Sequence, residues 1–286
     1  MNFIQKLAGE TAIYGLSSIF GRLLNFLLVP LYTSIFSPGQ YGLLSILMTV
    51  TAFTMVFLTY GFETSFFHFS KNTSAQETVF STSFAFLLCS SLIFVGLSFY
   101  FCDGIALFLN IGANSSFIKI LSLIILLDVV TILPFAKLRL ENKAWRFAFI
   151  RIVNIILNVG LNLFFFLLCP YWIKIGFAPN LTALIYQVNF GIEYIFISNL
   201  VASFGMFLLL LPEITDIKAK FDLQLWKKMW HYSFPILVGG LAYVTNEMVD
   251  KLLLEYLLPS GISTGQVGVY SACYKISIFM TLFVQA

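Results

Sequence analysis

The chain has 286 residues, of which 59% are hydrophobic and 10% charged, with a formal net charge of +3. Soluble domains carry about a quarter of their residues as Asp, Glu, Lys or Arg, so this composition, with a mean hydropathy of +0.93, excludes a water-soluble globular protein and places most of the chain in lipid. The small positive balance follows from where the charges lie along the chain, and no nucleic-acid partner is expected.

Apolar stretches long enough to cross a hydrocarbon core, about 20 residues each, recur along the sequence at 11–36, 41–67, 79–101, 117–138, 147–169, 190–211, 232–258 and 267–286. Lipid offers the backbone no hydrogen-bond partner, and these stretches are twice the length of a barrel strand, so helices are the expected form. The expected fold class is therefore all-α, a polytopic membrane bundle of about eight transmembrane helices. Arg22 interrupts the first apolar run and no small-residue cleavage site follows, so this stretch is expected to stay in the mature chain. Pro30, Pro134 and Pro235 fall inside stretches and predict kinks. Cys89, Cys102, Cys169 and Cys273 lie in or at the ends of different stretches without CxxC spacing. They read as small hydrophobes, and neither metal nor cofactor is expected.

Lys137, Arg139, Lys143 and Arg146 sit between the fourth and fifth stretches, and Lys218, Lys220, Lys227 and Lys228 between the sixth and seventh. The positive-inside rule puts both connections in the cytoplasm. Counting back places Lys71 and the amino terminus with Lys6 on the same side, and leaves Lys119 and Lys174 opposite. This predicts a multi-pass protein of the cell's inner (plasma) membrane with a cytoplasmic N-terminus. Residues 213–229, with Phe221, Leu225 and Trp226 among lysines, read either as an amphipathic stretch on the inner surface or as a solvated linker. No connection leaves room for a soluble catalytic domain, so enzymatic activity is not expected.

GQYGLLS at 39–45 and GQVGVYS at 265–271 match at four of seven positions, 226 residues apart. Each opens an apolar stretch at the same face, six stretches apart. The implied repeat is parallel, two six-helix bundles related by an axis along the membrane normal. The expected organisation is a six-helix bundle over 1–212, a cytoplasmic amphipathic linker over 213–230, and the first two helices of a second bundle over 231–286, with the chain ending inside a span as though truncated.

IYGLSSIFGRLLNFLLVPLYTSIFSPGQYGLLSI (13–46) resembles the first two helices of the polysaccharide (oligosaccharide) flippases of the multidrug/oligosaccharidyl-lipid/polysaccharide exporter superfamily. The resemblance is most specific in PLYT followed by FSPGQYG, close to the family's F-x-P-x-x-Y-G turn. FPILVGGLAYVTNEMVDKLLLEYLLP and GQVGVYSACYKISIFM resemble the same family's seventh and eighth helices. The resemblance implies two bundles facing a central cavity, and a polyprenyl-pyrophosphate-linked glycan as the molecule carried.

A charge at the centre of a membrane helix costs about 2.5 to 3.5 kcal/mol on insertion scales, so buried polar groups face a cavity or a partner. Counted at 1.5 Å per residue, Arg22, Asp128 and Asn158 fall roughly 16 Å deep, near the middle of a core about 30 Å thick. Arg151, Asn154, Asn158 and Asn162 lie along one helical face. They read as a cavity wall to which Asn25 is added, or as helix–helix glue with Arg151 snorkelling to the surface. Glu247, Lys251 and Glu255 sit four apart with Asp250 beside them, either as an ion-pair ladder or as a charged part of the cavity, and Lys275 reaches a similar level. Glu63, Glu193, His68 and His231 lie near span ends, where hydration is cheap.

Arg22, Lys251, Lys275 and Arg151 are the candidates for an anionic headgroup. Asp128, Glu247 and Asp250 are the candidates for a coupling ion, H+ or Na+, or for internal ion pairs. The leading expectation is a lipid-linked oligosaccharide flippase serving surface polysaccharide or O-antigen (lipopolysaccharide) synthesis by alternating access. A cation-coupled multidrug exporter of the same superfamily and a non-transporting membrane protein are the alternatives.

Overall fold

The computed structural model describes residues 15, 19, 21, 23–24, 26–71, 76–109, 111, 115–176, 186–187, 191–215, 220–259 and 261–285, with side chains of the last stretch through residue 277. Among them every regular element is helical. Helix α1 is seen over Phe26–Ile35, and α2 follows at Pro38–Thr59. The sequence dictates that start. Pro38 occupies the first turn, where its missing N–H is no loss. Ser37 and Gln40 form a capping box, Gln40 N donating to Ser37 Oγ at 3.3 Å and Ser37 N to Gln40 Oε1 at 3.1 Å.

Helix α2 stops at Tyr60 and Gly61, both left-handed with φ of 52° and 69°, and α3 resumes at Phe62–Phe69. Gly61 suits this break on two counts: its φ disfavours any side chain, and a Cβ there would stand 2.8 Å from Ile236 Cγ2. Helices α4 (Gln76–Tyr100), α5 (Cys102–Phe108), α6 (Ser116–Leu140) and α7 (Ala144–Leu163) come next. Past α7 the backbone widens into a π turn at Phe164–Leu168 and continues as α8, Cys169–Ile175. Pro170 has no N–H to offer the preceding turn, and the wider winding accommodates its ring without ending the helix. Helices α9 (Glu193–Thr215), α10 (Leu223–Leu257) and α11 (Ser263–Gln285) complete the order.

Among the described residues five helical stretches are long and apolar enough to cross a membrane: Pro38–Phe69, Gln76–Tyr100, Ser116–Leu140, Ala144–Ile175 and Glu193–Thr215. They coincide with the second to sixth of the expected stretches. The described part of the first is the shorter apolar helix Phe26–Ile35. The seventh is present as α10 but does not meet the same measure, and the residues of the eighth, α11, that are described with side chains are too few for it to apply, so the expected count of eight is not reached among the described residues. In α10 the cause is plain, because Asn246, Glu247, Asp250, Lys251 and Glu255 share its apolar run.

Helix α10 is one helix of 35 residues. Asp222 caps it, its carboxylate accepting from Gln224 N at 2.8 Å and Leu225 N at 3.0 Å. Residues 223–230 therefore run straight into the span. Met229 is fully buried among Leu58, Phe62, Phe66 and Leu87 of the preceding helices, and Ser65 Oγ donates to its carbonyl at 3.3 Å. Trp226 and Trp230 pack on Phe86, with centroids 5.4 and 5.8 Å from its ring. The same basic end is tied together by Glu213, 4% exposed, which takes Arg146 Nε at 2.9 Å and Nη2 at 3.2 Å, while Lys137 Nζ donates to its backbone carbonyl at 3.2 Å. Arg139 pairs with Glu63 nearby.

At the opposite end α2 and α11 cross backbone to backbone. A Cβ on Gly42 would collide with the Thr264 carbonyl oxygen, and a Cβ on Gly268 with the Pro38 carbonyl oxygen. Gly42 and Gly268, like Pro38 and Thr264, are 226 residues apart. The two copies of the GQxG motif thus contact one another reciprocally, across a local two-fold relation between the helices. Small residues permit this approach, which is how membrane helices gain dispersion contact in the absence of a hydrophobic drive.

Candidate functional site

Beneath this crossing lies a chamber of about 430 Å³ bounded by α1, α2, α7, α9, α10 and α11. One wall is built of neutral polar groups on α1, α7 and α9. Helical spacing carries Asn154 and Asn158 to the chamber, joined by Asn199 and Tyr32. A hydrogen-bond chain runs behind and along this wall. Tyr32 Oη donates to Asn162 Oδ1 at 2.8 Å, Asn162 Nδ2 donates to the Asn158 carbonyl at 2.8 Å and to Asn158 Oδ1 at 3.0 Å, and Asn158 Nδ2 reaches Asn199 Oδ1 at 3.4 Å. Asn162 is fully buried and stands behind the wall rather than on it.

The facing wall comes from α10 and α11, which bring Glu247, Met248, Lys251, Ser271, Tyr274 and Lys275 to the chamber. Glu247, Lys251 and Glu255 share a helical face, yet they do not form the ion-pair ladder that their spacing permits. Tyr274 Oη donates to Glu247 Oε2 at 3.1 Å, and Ser263 Oγ and Thr264 Oγ1 donate to Glu255 Oε1 at 3.2 and 2.9 Å. Glu255 thereby sits at the amino-terminal turn of α11, where the helix dipole favours a carboxylate. Lys251 Nζ lies over the Tyr274 ring, 4.8 Å from its centroid. Among the described residues neither Lys251 nor Lys275 has a carboxylate within ion-pair distance. Asp250 is not among the chamber-lining residues; its carboxylate accepts from the Tyr270 hydroxyl and from Lys251 N.

A second cavity of about 220 Å³ lies toward the basic end and shares Asn154 and Asn199 with the first. Asp128, Thr131, Ser203, Arg151, Glu63 and Arg139 line it. Ser203 Oγ donates to Asp128 Oδ1 at 2.7 Å. The Arg151 guanidinium rests on the Phe135 ring at 4.6 Å and within 5.7 Å of the Phe147 centroid, a face-on placement favourable for a cation on an aromatic.

Of the residues singled out in the sequence, Asn154, Asn158, Glu247, Lys251 and Lys275 meet at the chamber, and Asp128 and Arg151 at the second cavity. Arg22 and Asn25 lie outside the described residues. The structure adds Tyr32, Tyr41, Asn199, Ser271, Tyr274 and Ser203 to the two cavities. Asn199 carried a usable signal as the one amide in the apolar run of α9. The tyrosines carried none, since the chain has 13.

A family model described as "Polysaccharide biosynthesis protein" matches residues 33–286. Neither a curated protein nor a solved structure matches the chain.

Proposed function

The chain belongs to the polysaccharide biosynthesis protein family, and from that premise we propose that it carries a polyprenyl-pyrophosphate-linked glycan across the cell's inner (plasma) membrane by alternating access, making and breaking no covalent bond. The observation that carries this reading is the chamber's unequal walls. Lys251 and Lys275 face it with no carboxylate in ion-pair distance among the described residues, opposite Asn154, Asn158 and Asn199. An ammonium removed from water needs a counter-charge, and a diphosphate supplies one. The amides opposite offer both donors and acceptors, which suits sugar hydroxyls. The chamber's volume falls within the range of small-ligand sites, about 300–1,000 Å³, enough for a headgroup whose polyprenyl tail stays in the bilayer.

In this reading Lys251 and Lys275, with Arg22, hold the anionic headgroup. Asn154 and Asn158, with Asn25, meet the glycan, and Asn162 fixes Asn158 from behind. Asp128 and Glu247 carry a coupling ion, H+ or Na+, while Asp250 and Arg151 set the local field. The positive-inside rule places the basic end, with Lys137, Arg146 and Lys228, in the cytoplasm, so the glycan enters there and leaves past the crossing of α2 and α11. A multidrug exporter for amphipathic cations fits less well, because the chamber sets one carboxylate, Glu247, against two ammonium groups.

Reconstitution in proteoliposomes with a fluorescent short-chain polyprenyl-pyrophosphate disaccharide tests the proposal. The wild-type chain should move the probe between leaflets, and Lys251→Gln combined with Lys275→Gln should stop it without loss of protein from the membrane. Undiminished flipping by the double variant overturns the assignment of the chamber.

A further inference from the structure

Lys251 is flanked by carboxylates and paired with none. On α10 Glu247 stands one turn before it, in the order that favours a Glu–Lys pair, with Glu255 one turn after it and Asp250 beside it. Lys251 is 8% exposed, and away from water opposite charges attract more strongly. Yet among the described residues no carboxylate lies within ion-pair distance of its ammonium. The neighbouring helix, α11, is what keeps these charges from cancelling.

Each carboxylate is held by a hydroxyl of that helix. Tyr270 Oη donates to Asp250 Oδ2, Tyr274 Oη to Glu247 Oε2 at 3.1 Å, and Ser263 Oγ and Thr264 Oγ1 to Glu255 Oε1 at 3.2 and 2.9 Å. Tyr270 and Tyr274 lie one turn apart with their rings 21° from parallel, so they reach α10 side by side. Tyr274 also meets the lysine, whose ammonium lies 4.8 Å from its ring centroid. One side chain thus holds an anion at its hydroxyl and a cation against its ring. The sequence repeat supports a specific purpose. At the positions 226 residues earlier, Gly21 and Leu24 stand for Glu247 and Asp250, while Met48 and Leu44 stand for Tyr274 and Tyr270. Where the first copy lacks the two carboxylates, it also lacks the two tyrosines.

We propose that Tyr274 is the positioning residue that keeps Lys251 available to an anionic ligand: its hydroxyl restrains Glu247, its ring seats the ammonium, and the two opposite charges stay a helical turn apart without neutralising each other. The proposal rests on the transport reading, in which Lys251 takes the headgroup and Glu247 the coupling ion. It adds how both can be used from adjacent turns of one helix. Tyr274 acts through these two residues and requires no contact with the ligand. Tyr270 restrains Asp250 in the same way from the preceding turn of α11.

The test uses Tyr274→Phe, which keeps the ring under the ammonium and removes the hydroxyl, so that Glu247 is free to turn to Lys251. Binding of farnesyl diphosphate to the full chain in nanodiscs, measured by calorimetric titration, should weaken at least several-fold. Adding Glu247→Gln, which cannot neutralise the ammonium, should restore most of the lost affinity. A tyrosine that only supports packing, or that donates to the ligand itself, would not be rescued in this way. A measurement without ligand runs beside it: the coupling between Glu247→Gln and Lys251→Gln, taken from melting temperatures as a double-mutant cycle, should be larger in the Tyr274→Phe background than in the wild type. If Tyr274→Phe binds as the wild type does, or binds weakly and Glu247→Gln restores nothing, the role of Tyr274 is overturned and the transport reading stands. If the wild type binds no farnesyl diphosphate, the headgroup assignment falls; a coupling that rises in the Phe background then still upholds Tyr274 as the separator of the two charges, and an unchanged coupling overturns both.

Discussion

Gly42 and Gly268 lie at the point where α2 and α11 touch backbone to backbone, each positioned so that a methyl group would strike a carbonyl of the other helix. The same two motifs contain a second glycine each, Gly39 and Gly265, where an added methyl group would meet nothing within 4 Å. The contrast gives a prediction internal to the repeat. Gly42→Ala and Gly268→Ala must push the helices apart, and overpacking of this kind costs about 1–3 kcal/mol, here at the upper end because the obstacle is backbone. Gly39→Ala and Gly265→Ala should be neutral or gain about 0.4–1 kcal/mol through the unfolded chain. Thermal melting of the four single variants in detergent checks this. Equal effects at all four positions would mean that the crossing is not a tight contact.

The Arg146–Glu213 pair predicts an asymmetry. The Glu213 side chain is 4% exposed whereas that of Arg146 is 42% exposed. Arg146→Ala strands a buried carboxylate, which costs about 3–5 kcal/mol. Glu213→Ala leaves a guanidinium that turns to water, so its cost should be nearer the 1–3 kcal/mol typical of a lost charged hydrogen bond. The melting temperature of Arg146→Ala should therefore fall further than that of Glu213→Ala, and the reverse order would show that the carboxylate is solvated after all.

The helices could be read from the sequence because the length of each apolar run fixes the span, even where Asp128 or Arg151 interrupts it. The start of α2 at Pro38, ahead of the expected 41, rests on a local signal of Ser37, Pro38 and Gln40 that counting apolar residues passes over. What spacing could not supply was the competition from a neighbouring helix. Lys251 lies one turn from both Glu247 and Glu255, but Tyr274, Ser263 and Thr264 of α11 take those carboxylates. Nor could an apolar face at Leu225, Trp226 and Met229 reveal whether it meets lipid or protein, and the structure packs it on α3 and α4. The chamber's polar residues were partly visible as buried amides and charges in apolar runs, whereas Tyr32 and Tyr41 became visible only once α1 and α2 were placed.

The amide stripe of α7 separates a structural asparagine from one on the chamber wall. Asn162 is fully buried and accepts from Tyr32 Oη at 2.8 Å, so Asn162→Ala orphans that hydroxyl at about 1–3 kcal/mol. Asn158→Ala loses a 3.4 Å bond to Asn199 and the 3.0 Å bond that Asn158 Oδ1 accepts from Asn162 Nδ2, which keeps the Asn158 backbone carbonyl at 2.8 Å. Hydrogen bonds between membrane helices average about 0.6 kcal/mol, so stability should barely change. Transport of the lipid-linked glycan should nevertheless drop at least several-fold in Asn158→Ala. A variant that transports normally would assign Asn158 to helix packing alone.

The last prediction concerns which polar positions meet water. Asn158 and Lys251 line the chamber, whereas Leu97 is 53% exposed on the outside of α4, within a stretch apolar enough to cross the membrane. Exposure there means contact with acyl chains. In a background with Cys89 and Cys273 replaced, since both are exposed, Asn158→Cys and Lys251→Cys should react with a membrane-impermeant maleimide and Leu97→Cys should not. Farnesyl diphosphate should slow labelling at position 251, because the reagent and the diphosphate compete for the same corner. Cys102 and Cys169 are buried and should stay silent unless the protein is unfolded, which supplies the control for intact packing. Labelling of Leu97→Cys with silence at 158 and 251 would invert the assignment of lipid-facing and water-facing surfaces, and with it the location of the transport path.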